Sequence, residues 1–336
     1  MNRTGTIISS RSFDEALDEQ AEAGPDAELR PWVADASQHG HRLDRTLAEL
    51  VPEFSRSYLQ QLIALGAVTL KGAVLTKPAT RVKAEDAGTI ELRPTPQSQA
   101  FKPEAMALNV VFQDEHLLVI NKPAQLVVHP APGNWAGTLL NGLLAFDAAF
   151  KDLPRAGIVH RLDKDTSGLM VVARTRLAME ALVRAIAARD VQRHYLALAH
   201  HRWSGAGRQE IQAAIGRDPR NRLRMAVVDL GLHPGKSART DVELLQNAET
   251  SCLVKCVLHT GRTHQIRVHL AWLGHPLLAD ETYGGAAMAG MGRQALHAFH
   301  LAFSHPVTGQ SLSFRAELPA DFRAALDTLG LRYNFD

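Results

Sequence analysis

Long apolar runs, cysteines and secretory features are what this 336-residue sequence has least of. No stretch of eighteen apolar residues occurs, which excludes a membrane-spanning helix. The N-terminus shows no basic segment followed by an apolar run, so no secretory leader is expected. Only Cys252 and Cys256 are present. Four apart in a strand-like run, they share one face as small buried residues. A disulfide scaffold is excluded, and a reducing cytoplasm is the expected home. Sixteen histidines occur without any His-Glu-x-x-His run. His264 and His269, five apart on an expected helix, point in different directions. The pattern speaks against a metal hydrolase, and neither a metal nor a cofactor is expected.

The composition is that of a globular protein, with 46% hydrophobic and 21% charged residues, long enough for two domains. The formal net charge of +2 conceals an asymmetry. Residues 1–40 carry three basic and eight acidic side chains, which leaves the remaining chain at +7. A basic body suggests a polyanionic partner.

Residues 1–40 are polar and acidic, contain Gly24-Pro25 and lack a sustained apolar period, so they are expected to be disordered. From His41 onward, Leu43, Leu47, Leu50 and Val51 recur at helical spacing and stop at Pro52. Ser55 is placed to cap a second helix with Tyr58, Leu59, Leu62 and Ile63 on its apolar side, closed by Gly66. Strand-like runs follow at Ala67–Leu70 and Thr89–Leu92. Residues 41–93 therefore read as a compact module, 94–104 as a Pro-rich linker and 105–336 as a second domain.

In that domain Val110–Phe112 and Leu117–Asn121 read as a hairpin and Thr138–Phe150 as a helix. Leu169–Ala173 is an expected strand and Arg176–Arg189 a helix. Tyr195–Ala199, Val242–Leu245 and Leu253–Leu258 are further strands, followed by a helix over His264–Leu273. Hairpin connections outnumber crossover helices, which favours an α+β fold with a mixed, mostly antiparallel sheet. Ala286–Gly292 is expected to be a mobile loop.

Two stretches are dense in reactive groups. His160-Arg161-Leu162-Asp163-Lys164-Asp165-Thr166-Ser167-Gly168-Leu169 would, alone, be a charged turn leading into a strand. Thr260–Leu270 would, alone, be a helix start capped by Thr263 with Ile266 and Leu270 facing the core. Together they resemble the signature of the RluA-type pseudouridine synthases of large-subunit ribosomal RNA, and among those the D-type members. The first motif is HRLD, two variable residues and TSGL. The second is a GRTHQIRVHLA-like run continuing into GHPLLxDxxYG, present as Gly261–Ala271 and Gly274–Gly285. Asn121-Lys122-Pro123, Val127–Pro130, Leu296–Ala298 and His305-Pro306 also fit, so the resemblance spans roughly residues 105–320. Residues 41–92 resemble an S4 RNA-binding module of the αL type, with Lys71-Gly72 where that family usually has Asn-Gly.

The resemblance implies a role for each residue. Asp163 becomes the nucleophile, attacking C1′ or abstracting a sugar proton while the uracil is detached, rotated and rejoined through C5. A carboxylate in a water-poor pocket resists ionisation unless a cation is nearby, and Arg267 is implied as that cation. Ile266 is implied to pack near the base, and Tyr195 to stack on a flipped-out uracil or relay a proton. Arg193 stands where the family usually has Lys. Arg161 would fill the space left by the extruded base, its guanidinium plane stacking there. His160 and Thr166 in the first motif and Arg56 in the S4-like module are implied RNA contacts. Arg220, Arg222 and Arg224, in the basic segment 217–239, are expected to grip phosphates. The expected partner is large-subunit ribosomal RNA, naked or within a particle, with no membrane and the protein acting as a monomer. A non-catalytic ribosome-binding protein would leave Asp163, Tyr195 and Arg267 without a common purpose. A nucleoside glycosidase would have to admit water to the sugar and release free uracil.

Overall fold

The computed structural model describes residues 28–334 apart from residues 53, 93–97 and 132. The chain divides into two compact units between Gln99 and Ala100.

The first unit runs β1 (Glu28–Val33), α1 (Leu43–Leu50), α2 (Arg56–Ala64), β2 (Val68–Leu70), β3 (Ala73–Leu75) and β4 (Ala87–Leu92), with sheet order β1-β4-β2-β3. The apolar stripes of both helices form one core, Leu43, Leu47, Leu59, Leu62 and Ile63 meeting Trp32 and Ile90. Ser55 caps α2 by accepting from the Tyr58 N–H. Lys71 and Gly72, both at positive φ, make the two-residue β2–β3 turn, the left-handed pair that usually selects Asn-Gly. Lys71 is held there by an ion pair to Asp86 at 2.8 Å.

Residues 28–40 correct the expectation of disorder across 1–40; the rest of that segment lies outside the described residues. β1 pairs antiparallel with β4 along its whole length, and Asp35 caps a short 3-10 turn at Ala36–Gln38. The linker also shortens. Residues 93–97 lie outside the described residues, but the Asn141 amide binds the carbonyls of Ala100 and Lys102, so the chain from Ala100 belongs to the second unit.

The second unit is built on strands β5 (Val110–Gln113), β6 (Leu117–Lys122), β7 (Ser167–Ala173), β8 (Gln192–His200) and β9 (Arg208–Gln212). An excursion of three short strands follows, β10 (Ile215–Arg217), β11 (Met225–Val227) and β12 (Gly235–Lys236). The main sheet resumes with β13 (Arg239–Asn247), β14 (Ser251–Leu258), β15 (Leu296–Ser304) and β16 (Ser311–Arg315). Its nine strands run β5-β6-β7-β15-β8-β14-β13-β9, with β16 against β15. Among the described strands of this sheet only β7 and β15 pair in parallel, so the fold is α+β with a mixed, mostly antiparallel sheet.

Helices α3 (Leu139–Phe146), α4 (Arg176–Ala188), α5 (Gln265–Trp272) and α6 (Ala320–Thr328) pack around that sheet. Thr138 and Asn141 form a capping box at the start of α3, and Asp147 ends it four residues earlier than the apolar run suggested by accepting from Ala149 N–H. Thr263 does not cap α5. The helix begins after His264, a left-handed residue at φ 56 without a side-chain cap. The Ala286–Gly292 loop is tied down and not loose, with Met291 buried in a core with Phe299 and Phe322 and the Ala286 carbonyl bound to His200. Cys252 and Cys256 are both buried with free thiols.

Candidate active site

The turn between Ile158 and β7 carries the first motif, and several elements fix its shape. Leu162 anchors in the main core. Gly168 has φ +119, and a Cβ there would sit 2.2 Å from the Ala298 carbonyl oxygen; only glycine lets β7 approach β15 this closely. Ser167 shares a 2.9 Å hydrogen bond with His297 Nδ1. Arg293 donates to the Asp165 carbonyl at 2.9 Å and is itself held by Asp321 at 2.7 Å. Lys122 is buried at the end of β6 and its ammonium donates to the carbonyls of Pro123, Leu126 and Lys164.

These contacts place the Asp163 carboxylate at the junction of two cavities. The larger, of about 910 Å³, is also lined by Arg161, Tyr195, Ile266 and Leu296. The second, of about 510 Å³, shares Arg161, Leu162, Asp163, His264 and Arg267 with it. Arg267, on the first turn of α5, donates to Asp163 at 3.2 Å. Its principal partner is Asp280, bound through Nε at 2.7 Å and Nη2 at 2.8 Å. The Asp280 side chain is 1% exposed and that of Asp163 16%. One buried guanidinium thus serves two carboxylates, one locked and one open to the cavity.

Tyr283 lies under this cation, its ring centre 5.0 Å from the Arg267 guanidinium carbon. Its hydroxyl accepts from Met225 N–H at 3.1 Å and meets His264 Nδ1 at 2.8 Å. Burial raises the phenol's pKa, so it keeps its proton; His264 Nδ1 is the acceptor within reach. That arrangement suits a His264 ring with its proton on Nε2, and burial lowers the imidazole's pKa. Tyr195 is buried in the cavity floor and its phenol is pushed up to about 12 by burial. Ile266 packs in the same core.

Other expected contacts have different duties. His160 Nε2 accepts from Val171 N–H at 3.1 Å, and burial holds the imidazole down at about 3, so it braces β7 as a neutral ring. Thr166 is buried and its hydroxyl accepts from Gln294. Arg161 is exposed at the mouth of both cavities. Arg56 is not free for RNA alone; with Arg42 and Gln60 it binds the buried Asp44 carboxylate. Burial would raise that carboxyl, but the three donors hold it well below the usual carboxylate range. Arg224 is paired with Asp218 at 2.6 Å and shapes the β10–β11 turn, whereas Arg220 and Arg222 are exposed. Among the described residues no group of His, Cys, Asp or Glu is placed to hold a metal. His264 turns to Tyr283 and His269 to Thr240.

Asp280, Tyr283, Arg293 and Lys122 were not singled out from the sequence. Asp280 and Tyr283 are the Asp and Tyr of the GHPLLxDxxYG run, and Lys122 lies in Asn121-Lys122-Pro123, so the signal was present without a contact to interpret it. Burial pushes Lys122 down to about 7 against the pull of Asp165 and Asp163. The folded chain then binds that proton less tightly than the unfolded one. Folding stability should rise with pH from about 7 towards 10.5, by at most about 1.4 kcal/mol per unit. Lys122→Met should flatten this slope in urea unfolding at pH 7 and 9 and lower the melting temperature. An unaltered slope would mean that Lys122 stays charged.

The RNA pseudouridylate synthase family matches residues 116–272, which include Asp163, Tyr195 and Arg267, and the S4 domain matches residues 41–87. The chain is 47% identical over 308 residues to the ribosomal large subunit pseudouridine synthase D of Neisseria meningitidis serogroup B, covering 88% of this chain and 81% of that one. The chain belongs to the RNA pseudouridylate synthase family. The corresponding protein of Nitrosomonas europaea is 45% identical over 298 residues, covering 86% of this chain and 85% of the other. Among solved structures, human RNA pseudouridylate synthase domain containing 1 aligns with a TM-score of 0.51 at 29% identity, over 65% of this chain and 86% of that one.

Proposed function

We propose that this protein isomerises specific uridines of large-subunit ribosomal RNA to pseudouridine, as a monomer in the cytoplasm, with Asp163 as its nucleophile. The observation that carries the reading is the Asp163 carboxylate, 3.2 Å from a buried Arg267, opening onto a cavity floored by Tyr195. The relatives at 45–47% identity named for the ribosomal large subunit support the choice of RNA. No helix among the described residues is long and apolar enough to cross a membrane.

The chemistry follows from what each group offers. A uridine flipped into the cavity leaves the RNA stack and places its base against Tyr195, Ile266 and Leu296. Arg267 donates to the Asp163 carboxylate and holds it at the cavity edge beside the sugar. The N1–C1′ bond breaks, by carboxylate attack at C1′ or through loss of a sugar proton to Asp163. The uracil turns and C5 bonds to C1′ as the Asp163–C1′ bond breaks or Asp163 returns the proton to the sugar, and the C5 proton leaves as N1 regains one. Tyr195, fully protonated at neutral pH, suits stacking and hydrogen-bond donation. Arg161 at the mouth suits the gap left in the RNA. Arg220 and Arg222, with Arg56 in part, suit phosphate contacts. Pseudouridine mapping of large-subunit RNA from cells lacking this protein tests the reading. Specific sites should disappear and return when the purified protein is added; an unchanged map would refute it.

The S4 domain should supply phosphate contacts to the same RNA. Removal of residues 1–99 should weaken RNA binding and make its dependence on salt shallower, while the remaining unit stays folded. Filter binding across a salt series would check this, and an unchanged affinity and slope would deny the module that role.

A further inference from the structure

Arg193 is another cation in the cavity besides Arg267, and among the described residues it has no partner. It lies on β8 two residues before Tyr195, on the same face. It is 6% exposed, its Nε is buried without a partner, and it has no ion pair among the described residues. The nearest loop leaves it room: a Cβ on Gly261 would come within 3.1 Å of Nη1. Arg267, in contrast, is satisfied by Asp280 and Asp163. The cavity wall carries Arg155, Arg161, Arg189, Arg193, Arg262 and Arg267 against the single carboxylate of Asp163. A buried guanidinium without an anion is strongly unfavourable, so a fold that keeps one keeps it for a ligand. A planar fork of donors matches two oxygens of a phosphate, and among the described residues no carboxylate pairs with Arg193.

We propose that Arg193 is the anion-binding residue of this cavity and grips a phosphodiester beside the uridine held against Tyr195. The identity of the anion rests on the RNA-modifying function proposed above. The anion site itself does not. Arg193 thereby fixes how deeply the nucleotide enters, and so the distance between its sugar and Asp163.

The full-length protein tests both parts. Melting temperatures of the wild type, Arg193→Met and Arg193→Lys are measured with and without inorganic pyrophosphate at constant ionic strength. Pyrophosphate should raise the wild-type melting temperature saturably. Arg193→Met should melt at or above the wild type without ligand, since it removes an unpaired buried charge, and should not respond to pyrophosphate. Arg193→Lys should keep part of the response. With RNA, Arg193→Met should raise KM about tenfold or more, with a smaller effect on kcat. It should also lower the slope of log affinity against log salt by roughly 0.7–0.9, the share of one phosphate contact. A lower melting temperature for Arg193→Met together with an intact pyrophosphate response would make Arg193 structural and overturn the proposal. So would an unchanged KM and salt slope. If the wild type forms no pseudouridine yet the pyrophosphate response depends on Arg193, the proposed reaction fails and the anion site stands.

Discussion

Asp163→Asn should remove pseudouridine formation by about 10⁴-fold or more, as loss of a covalent nucleophile does in other enzymes. The expectation is sharp because the substitution removes so little else. Asn keeps the shape of Asp and an oxygen that still accepts from Arg267 Nη1, the single side-chain bond this carboxylate makes among the described residues. Arg267 does not become an orphan, since Asp280 holds it through two other nitrogens. The turn itself is secured by Lys122, Arg293 and Gly168 and not by the Asp163 side chain. Folding stability should therefore move by less than about 1 kcal/mol, and RNA affinity should stay close to the wild type. Single-turnover assays with tritium release from C5-labelled RNA measure the loss. Substantial residual turnover by a homogeneous Asn variant would take the nucleophile's role away from Asp163.

How much of this site was legible follows from the range of the interactions that build it. Helices α1 and α2 were plain because their apolar spacing and the Ser55 cap are local signals. β1 was hidden because its signal is not local. It is an edge strand with one buried residue, Trp32, and carries Pro31, and its partner β4 lies more than fifty residues away. The acidic composition around it suggested disorder instead. At the α5 start, Thr263 looked like a cap because Thr often is one, yet the chain turns through a left-handed His264 held by Tyr283. Such strain tends to collect at working sites, and no spacing rule announces it. The motif residues pointed to an Asp163–Arg267 pair, which the geometry contains. That Arg267 belongs first to Asp280 depends on how the chain between residues 273 and 280 folds back. The same holds for His160 and Arg224, whose motif or basic context suggested RNA while their nearest partners are Val171 and Asp218.

Arg267→Met should damage fold and activity together, and a second substitution should separate the two losses. Arg267 is the cation for a carboxylate 1% exposed and for Asp163. Removing one member of such a buried pair typically costs about 3–5 kcal/mol, most of it from the carboxylate left behind. The Tyr283 ring also loses the guanidinium above it. Melting temperature and single-turnover rate should both collapse, and Arg267→Lys should restore more of each than Met does, since it returns a charge without the two-pronged grip on Asp280. In Arg267→Met/Asp280→Leu the stranded carboxylate is gone, and replacing a whole buried pair by apolar side chains is often neutral for stability. This double variant should regain most of the lost stability while its rate stays at the level of Arg267→Met, because Asp163 still lacks its cation. Recovery of the rate along with stability would mean that Arg267 serves only the fold through Asp280, and that the 3.2 Å contact to Asp163 has no part in the reaction.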